Sequence, residues 1–375
     1  MRVDSIECIE IVGRLREPWL IASGPITELG ALVVRITDEQ GRCGYGECCS
    51  RGGIAVLRAV VEDLLAPIVH GRETADIGAI WRDMLATLRT RGHTRGFLLE
   101  AMSGIDIALW DLAGQQQDRS ISSLLFGHGR KQVRAYASSI LIDAPDAMAA
   151  EAARLRDEGY DAIKMKIAGD VDADVERVAS VRAALGPEVR LMLDANSGFD
   201  APGAIEFARR TADQGVYWLE EPLPLDDLPG YRRLRAASGV RIALGEGEFT
   251  AGGFREFLRD GLIDVLQPNV TRAGGVTGVR QITGLATAYN LAVAPHTGAS
   301  GPVCMAATLQ LAGAIDGFLM HEFMYLEDPF EHVFESGLPV PSSGRIEIPR
   351  EPGLGCTIDP SVLDDLTRSD GRAAA

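Results

Sequence analysis

The sequence predicts an α/β fold: a modified (β/α)8-type TIM barrel with an α+β N-terminal capping domain that the C-terminal segment completes. Three observations carry this. From about residue 134, short β-rich runs alternate with helical segments through eight units. The first 130 or so residues follow a different pattern. Residues 342–360 are rich in Pro and Gly and hold no further unit. Alternating strands and helices argue for a parallel sheet, and eight units in succession argue for a closed barrel.

Strands are expected at 134–140, 162–167, 190–195, 216–222, 241–246, 265–270, 291–296 and 318–323, with helices such as 144–158 and 173–185 between them. The helix after the eighth strand is missing or displaced, which makes the barrel a modified one. Ahead of it, 31–38 and 44–47 read as an antiparallel hairpin turning at 39–41, followed by helical stretches around 55–68, 77–89 and 97–116. The capping domain is therefore placed at 1–130, the barrel at 131–325 and the returning segment at 326–375. Residues 369–375 read as a disordered tail.

A hydrophobic content of 46% in 375 residues supports a sizeable core. The net charge of −16 argues against nucleic acid or an anionic membrane as a general partner, though a local site can still oppose it and take a small anion. No apolar stretch reaches the roughly 18 residues of a membrane span. The start, Met1 to Ser5, lacks the features of a signal peptide. Six cysteines without a CxxC spacing read as reduced thiols. A cytoplasmic protein is expected, with a small-molecule carboxylate substrate and further copies of itself as partners.

Lysine is scarce. The chain has Lys131, Lys164 and Lys166, against 34 arginines (37 Lys+Arg less the three lysines). Lys164 and Lys166 lie two apart in a short apolar strand, so both ammonium groups project to one face. Guanidinium stays charged, whereas a crowded or desolvated lysine can give up its proton. The chemistry is expected at this pair.

In a βα barrel the site lies where strands pass into loops. Strands three, four and five end in Asp194, Glu220 and Glu246, spaced 26 residues apart each time. Three carboxylates at one height repel unless a cation holds them, and oxygen-only ligands select Mg²⁺ first and Mn²⁺ second. Glu221 and Glu248 compete for these places, and the regular spacing favours Glu220 and Glu246. Strand seven ends in His296, facing the lysines. Strand eight carries His321 and Glu322, which point oppositely. Glu322 is read as interior, where it can hydrogen-bond a substrate oxygen. Strand six carries Asn269, placed as a partner for His296, followed by the diglycine Gly274-Gly275. His70, His93, His128 and His332 are given no role.

These residues resemble the enolase superfamily, and within it the mandelate racemase subgroup, over nearly the whole length. Gly44-Tyr45-Gly46-Glu47 and Ser103 to Asp111 look like the family's capping domain. Lys164-Met165-Lys166, Asp194, Glu220, Glu246, His296 and Glu322 look like its barrel, and Pro352 to Gly355 like its C-terminal return. The resemblance implies removal of the proton α to a carboxylate, with Mg²⁺ stabilising the enediolate. It implies Lys166 as base on one face, with Lys164 lowering its pKa. Glu322 would bind the enediolate oxygen and His296 would act on the other face.

One position departs from the racemase pattern. The aspartate that pairs with the histidine is here Asn269, and Asp264 lies at the other end of the same strand. An amide can orient imidazole but cannot stabilise imidazolium by charge. This weighs against racemisation, which needs a base on both faces. It suits a β-elimination in which Lys166 takes the proton and His296 serves the departing hydroxyl. The expected function is Mg²⁺-dependent dehydration of an aldonate or aldarate to a 2-keto-3-deoxy acid. Asn196 and Trp19 are the candidate substrate contacts. The alternatives are a racemase or epimerase of a 2-hydroxy acid, or a non-catalytic member disabled at Asn269.

Overall fold

The computed structural model describes residues 1–50, 52–127 and 129–368. His128 and the tail at 369–375 lie outside the described residues. The N-terminal region is an antiparallel meander of β1 (Val3–Ile21), β2 (Gly24–Asp38) and β3 (Cys43–Ser50). β2 is buried on both faces. Leu32, Val34 and Ile36 pack toward the capping helices, while Ala31 and Val33 join the barrel-side core. The hairpin at 39–41 forms as expected, closed by Gly41 N–H to the Asp38 carbonyl at 2.8 Å. The sequence reading did not include β1. Its burial alternates irregularly and its charged residues sit on an outer face, which blurs the period-two signal.

The Phe97–Gln117 helix crosses this sheet. A Cβ at Gly46 would come within 1.8 Å of the Gly104 carbonyl oxygen, and one at Gly44 within 2.3 Å of that of Ala108. β3 and this helix therefore touch backbone to backbone, which explains why both capping motifs contain glycine. The stretch expected as one helix at 55–68 is instead Ile54–Ala59, a π turn over Val60–Leu65, and Ala66–Val69. Pro67 has no N–H to give to the Asp63 carbonyl, so the regular ladder cannot run through.

Eight parallel strands follow: β4 (Gln132–Ile140), β5 (Ala162–Lys166), β6 (Arg190–Asp194), β7 (Val216–Glu220), β8 (Ile242–Leu244), β9 (Val265–Leu266), β10 (Ala292–Val293) and β11 (His321–Phe323). They run in the sheet order β10-β9-β8-β7-β6-β5-β4-β11. A parallel bridge between Val293 and Phe318 brings the two ends together. The last strands are shorter than expected. Pro268 and Pro295 cannot donate to a ladder, and Gly245 turns the chain at φ +143°. The barrel interior is floored by Tyr136, Met192, Trp218 and Met320, with small residues between them.

The segment read as holding no barrel unit contributes a short strand. β12 (Arg345–Glu347) pairs antiparallel with the start of β4. The chain then reaches the capping region. Leu354 N–H donates to Asp111 Oδ1 at 2.8 Å, and Ile121 N–H to the Gly353 carbonyl at 2.8 Å. The displaced last helix, Pro360–Arg368, packs on β1. Among the described residues no helix is long and apolar enough to cross a membrane.

Candidate active site

Strand alternation sends Lys164, Lys166, Asp194, Glu220 and Glu322 into the barrel at its C-terminal end. Asp194 pairs in register with Lys166 on one side and Glu220 on the other. Glu246 follows two residues beyond β8. The turns here are strained. Asn196, Ser197 and Glu221 have φ of +40°, +61° and +37°, and such outliers cluster where a site is held against local preference.

Lys164 is 1% exposed and ringed by carboxylates. Its Nζ lies 2.6 Å from Glu220 Oε1, 2.7 Å from Glu322 Oε1 and 3.3 Å from Asp194 Oδ2, and it sits over the Tyr136 ring at 5.6 Å. Burial alone lowers its pKa, but Glu220, Glu322, Tyr136 and Asp194 outweigh burial and hold it well above the ordinary value. Lys164 is thus a fixed cation bound to three carboxylates. Lys166 is less enclosed, with 13% of its side chain exposed, and donates to Asp194 Oδ2 at 2.5 Å and Asn196 Oδ1 at 3.0 Å.

Burial pushes Glu220 up to about 8, aided by Asp194 and opposed by Lys164. Burial also raises Asp194 and Glu322, but the lysines pull Asp194 below its usual range and Lys164 with His296 pulls Glu322 far below. Glu322 Oε2 accepts from the N–H groups of Thr297 at 2.7 Å and Gly298 at 3.1 Å. His321 points away, fully buried, and burial lowers its pKa to about 4.

Asn269 Nδ2 lies 3.1 Å from His296 Nδ1. The amide orientation follows from its other end. Asn269 Oδ1 accepts from Thr271 N–H at 2.9 Å and Thr271 Oγ1 at 2.6 Å, and Nδ2 also donates to Ser300 Oγ at 3.0 Å. The network therefore assigns Nδ1 of His296 as an acceptor and puts the ring proton on Nε2, in close contact with Glu246 Oε2. Asp264 is spent at the far end of the barrel, on Arg235 at 2.6 Å and Ile242 N–H at 2.9 Å.

Of the remaining expected residues, Asn196 receives Lys166 as described. Trp19 is 6% exposed within the apolar cluster joining hairpin to barrel. The hairpin tip does reach the barrel mouth. Leu20 accepts from Ile142 N–H at 3.1 Å, and a Cβ at Gly198 would come within 3.3 Å of Ala22. Glu248 turns to Arg95 at 2.6 Å. The diglycine proves to be a docking point. A Cβ at Gly275 would meet Asp106 Oδ2 at 2.3 Å, and Trp81 Nε1 donates to the Gly274 carbonyl at 2.8 Å.

Sequence reasoning missed Gln267, whose Nε2 donates to Glu220 Oε2 at 2.7 Å, and Trp218, whose Nε1 reaches the same oxygen at 3.2 Å. Gln267 stands two residues before Asn269, so the period-two argument that paired the lysines could have found it. Ser300 and Thr271 lie in loops and carried no such signal.

Among the described residues no group of three or more His, Cys, Asp or Glu side chains is arranged to hold a metal ion. The shortest contact of each carboxylate is to a basic side chain: Asp194 to Lys166, Glu220 to Lys164 and Glu246 to His296, with Lys164 also reaching Asp194. The donor set still fits a divalent cation. It is oxygen-only. Four carboxylates, counting Glu322, gather around the two lysine ammonium groups.

Residues 6–126 match the family described as Mandelate racemase / muconate lactonizing enzyme, N-terminal domain, and residues 147–362 match Enolase C-terminal domain-like. D-galactarolactone cycloisomerase of Agrobacterium fabrum is 34% identical over 382 aligned positions, covering 99% of this chain and 100% of that protein. D-galactonate dehydratase of Ralstonia nicotianae is 32% identical, covering 90% of this chain and 91% of its own. Among solved structures, the 3,6-anhydro-D-galactonate cycloisomerase from Zobellia galactanivorans superposes with a TM-score of 0.87 at 29% identity, over 98% of this chain and 99% of that one.

Proposed function

Since the chain belongs to the mandelate racemase-like branch of the enolase superfamily, whose related members process acid sugars, we propose that it catalyses β-elimination from an acid sugar carboxylate. The principal reading is dehydration of an aldonate or aldarate to a 2-keto-3-deoxy acid. The observation that carries it is the asymmetry of the two candidate bases. Lys166 is partly exposed, with its Nζ held by Asp194 and Asn196 at the mouth, whereas His296 presents a donor, with Asn269 opposite its other nitrogen.

Mg²⁺, held by Asp194, Glu220 and Glu246, would supply the electrophile that makes the α proton acidic enough to remove. Lys166 takes that proton. Lys164 and Glu322 stay in place at the carboxylate end, one as a fixed cation and the other as an oriented carboxylate. His296 hydrogen-bonds through Nε2–H to the oxygen leaving Cβ and keeps its proton. Atoms balance: Lys166, entering as the free amine, takes the proton from Cα and passes it to the departing hydroxyl, so that one water leaves and both side chains are restored. The amide nitrogen opposite Nδ1 offers no acceptor for a second ring proton, so one-face chemistry is favoured over racemisation.

A second reading shares every step up to the bond that breaks. If the departing oxygen belongs to a lactone or anhydro ring, the ring opens and the product is an isomer. The match to a galactarolactone cycloisomerase along the whole of both chains favours it. The test is purified protein with Mg²⁺ in D₂O, against aldonates, aldarates and their lactones, followed by proton NMR and mass spectrometry. A new C3 methylene signal with loss of one water supports dehydration. The same signal at unchanged mass supports cycloisomerisation. Deuterium entering at Cα without elimination would overturn both.

A further inference from the structure

Glu47 has no part in the chemistry described, yet it is fully buried at 0% exposure on β3 of the capping sheet. Its Oε1 accepts from Gly301 N–H at 2.7 Å and its Oε2 from Cys304 N–H at 2.9 Å. A capping-domain side chain thereby closes the N-terminus of the Pro302–Ala314 barrel helix. Among the described residues Glu47 forms no ion pair, and burial pushes its pKa up to about 7. A buried carboxylate without a cation is costly. A serine or aspartate at position 301 would cap the helix locally.

What Glu47 reaches, beyond a helix end, is the loop that organises the site. Thr297 and Gly298 give both backbone donors that Glu322 Oε2 receives. Ser300 accepts from Asn269 Nδ2, the same nitrogen that faces His296. The next residue is Gly301, and Glu47 holds it. Among the described residues no other capping carboxylate accepts from the 297–301 backbone. Asp106 docks on Thr277, and Asp111 on Leu354 and Tyr45, both away from this loop.

We propose that Glu47 is a positioning residue for the active site: it anchors residues 297–301 from the capping side, so that Glu322 and the Asn269–His296 pair keep their mutual placement. This deepens the reading of the site given above and rests on its assignment of Glu322 and His296. The plain alternative is that Glu47 only docks two domains, as Asp111 does.

The test uses the full chain and four forms: wild type, Glu47→Gln, Gly301→Ala and Asp111→Asn. Gly301→Ala is a second route to the same contact. Its Cβ would come within 2.8 Å of Glu47 Oε2, while its φ of −84° suits any residue. Three readouts are taken: deuterium exchange of the 297–304 amides, the ¹⁵N ring signals of His296 assigned by their loss in His296→Gln, and kcat and KM on an acid sugar that wild type turns over. Glu47→Gln and Gly301→Ala are expected to speed exchange at 297–301 by about tenfold or more. They should also move the His296 signals and lower kcat more than they raise KM. Asp111→Asn should lower stability and leave all three alone. Unchanged exchange, or faster exchange with unmoved His296 signals, overturns the proposal and leaves Glu47 a dock. If wild type turns over no acid sugar, exchange and ring signals still decide the role of Glu47, and only the reading of function falls.

Discussion

Asn269 holds His296 by the wrong end for a base: an amide nitrogen, 3.1 Å away, faces Nδ1, and Thr271 fixes the amide so that it cannot turn its oxygen there. Asn269→Asp would place an acceptor opposite Nδ1 and favour the imidazolium. The expected outcome is new α-deuterium exchange of bound substrate from the histidine face, seen by NMR in D₂O as product of both configurations at Cα. An unaltered exchange pattern and pH profile would mean that the amide is not what limits His296.

Lys166 is the less buried of the two lysines and is bonded to Asp194 at 2.5 Å. Lys166→Ala is expected to lower the rate of α-proton removal by about 10²–10⁴-fold. Because the ammonium competes with a metal for Asp194, the same change should leave Mg²⁺ affinity equal or stronger. Calorimetric titration with Mg²⁺ and single-turnover deuterium exchange check the two halves. Turnover retained at wild-type rate moves the base elsewhere.

The gathering of four carboxylates around two lysines gives a metal test that needs no substrate. Mg²⁺ should raise the melting temperature of the chelator-treated protein in a concentration-dependent way. The rise should shrink in Asp194→Asn, Glu220→Gln and Glu246→Gln, and chelation should abolish turnover. A melting curve indifferent to Mg²⁺ and Mn²⁺ in wild type rules against a cation among these carboxylates.

Asp106 and Asp111 are buried at the contact of the Phe97–Gln117 helix with the Gly274-Gly275 loop and the C-terminal return. Burial pushes both up to about 7, against hydrogen bonds that lower them. An unfolded aspartate titrates near 4. Between those values the folded chain binds protons that the unfolded chain releases, so each group's contribution to stability falls as pH rises from about 4 to about 7 and is level above. Asp106→Asn removes its share. In urea unfolding, stability relative to wild type should move in favour of Asp106→Asn across that window and stay constant above it. A difference independent of pH from 4 to 8 would show that Asp106 titrates normally.

Much of the fold was readable because period and punctuation are local. The strand-helix alternation places the barrel strands, and the turn at 39–41 follows from its own residues. The strands ending near Pro268 and Pro295 are short because proline removes ladder donors, a signal present in the sequence itself. β1 was missed because a strand with one wet face and irregular alternation has little period to detect. Gly44 and Gly46 were seen as a motif, but the reason for them, contact with the backbone at Gly104 and Ala108, needs both elements in place.

By itself the sequence determined which residues share the barrel mouth. A two-residue step puts Lys164 and Lys166 on one face, and a 26-residue step puts Asp194, Glu220 and Glu246 at successive strand ends. Only the tertiary structure decided what those groups do to one another. Lys164 became a caged cation, the carboxylates paired with the basic side chains around them, and His296 received its tautomer from Asn269 and Thr271. The physical reason is range. Strand periodicity is set by neighbours in the chain, whereas protonation and orientation in a buried site are set by charges and donors a few ångströms away, brought there from strands far apart in sequence.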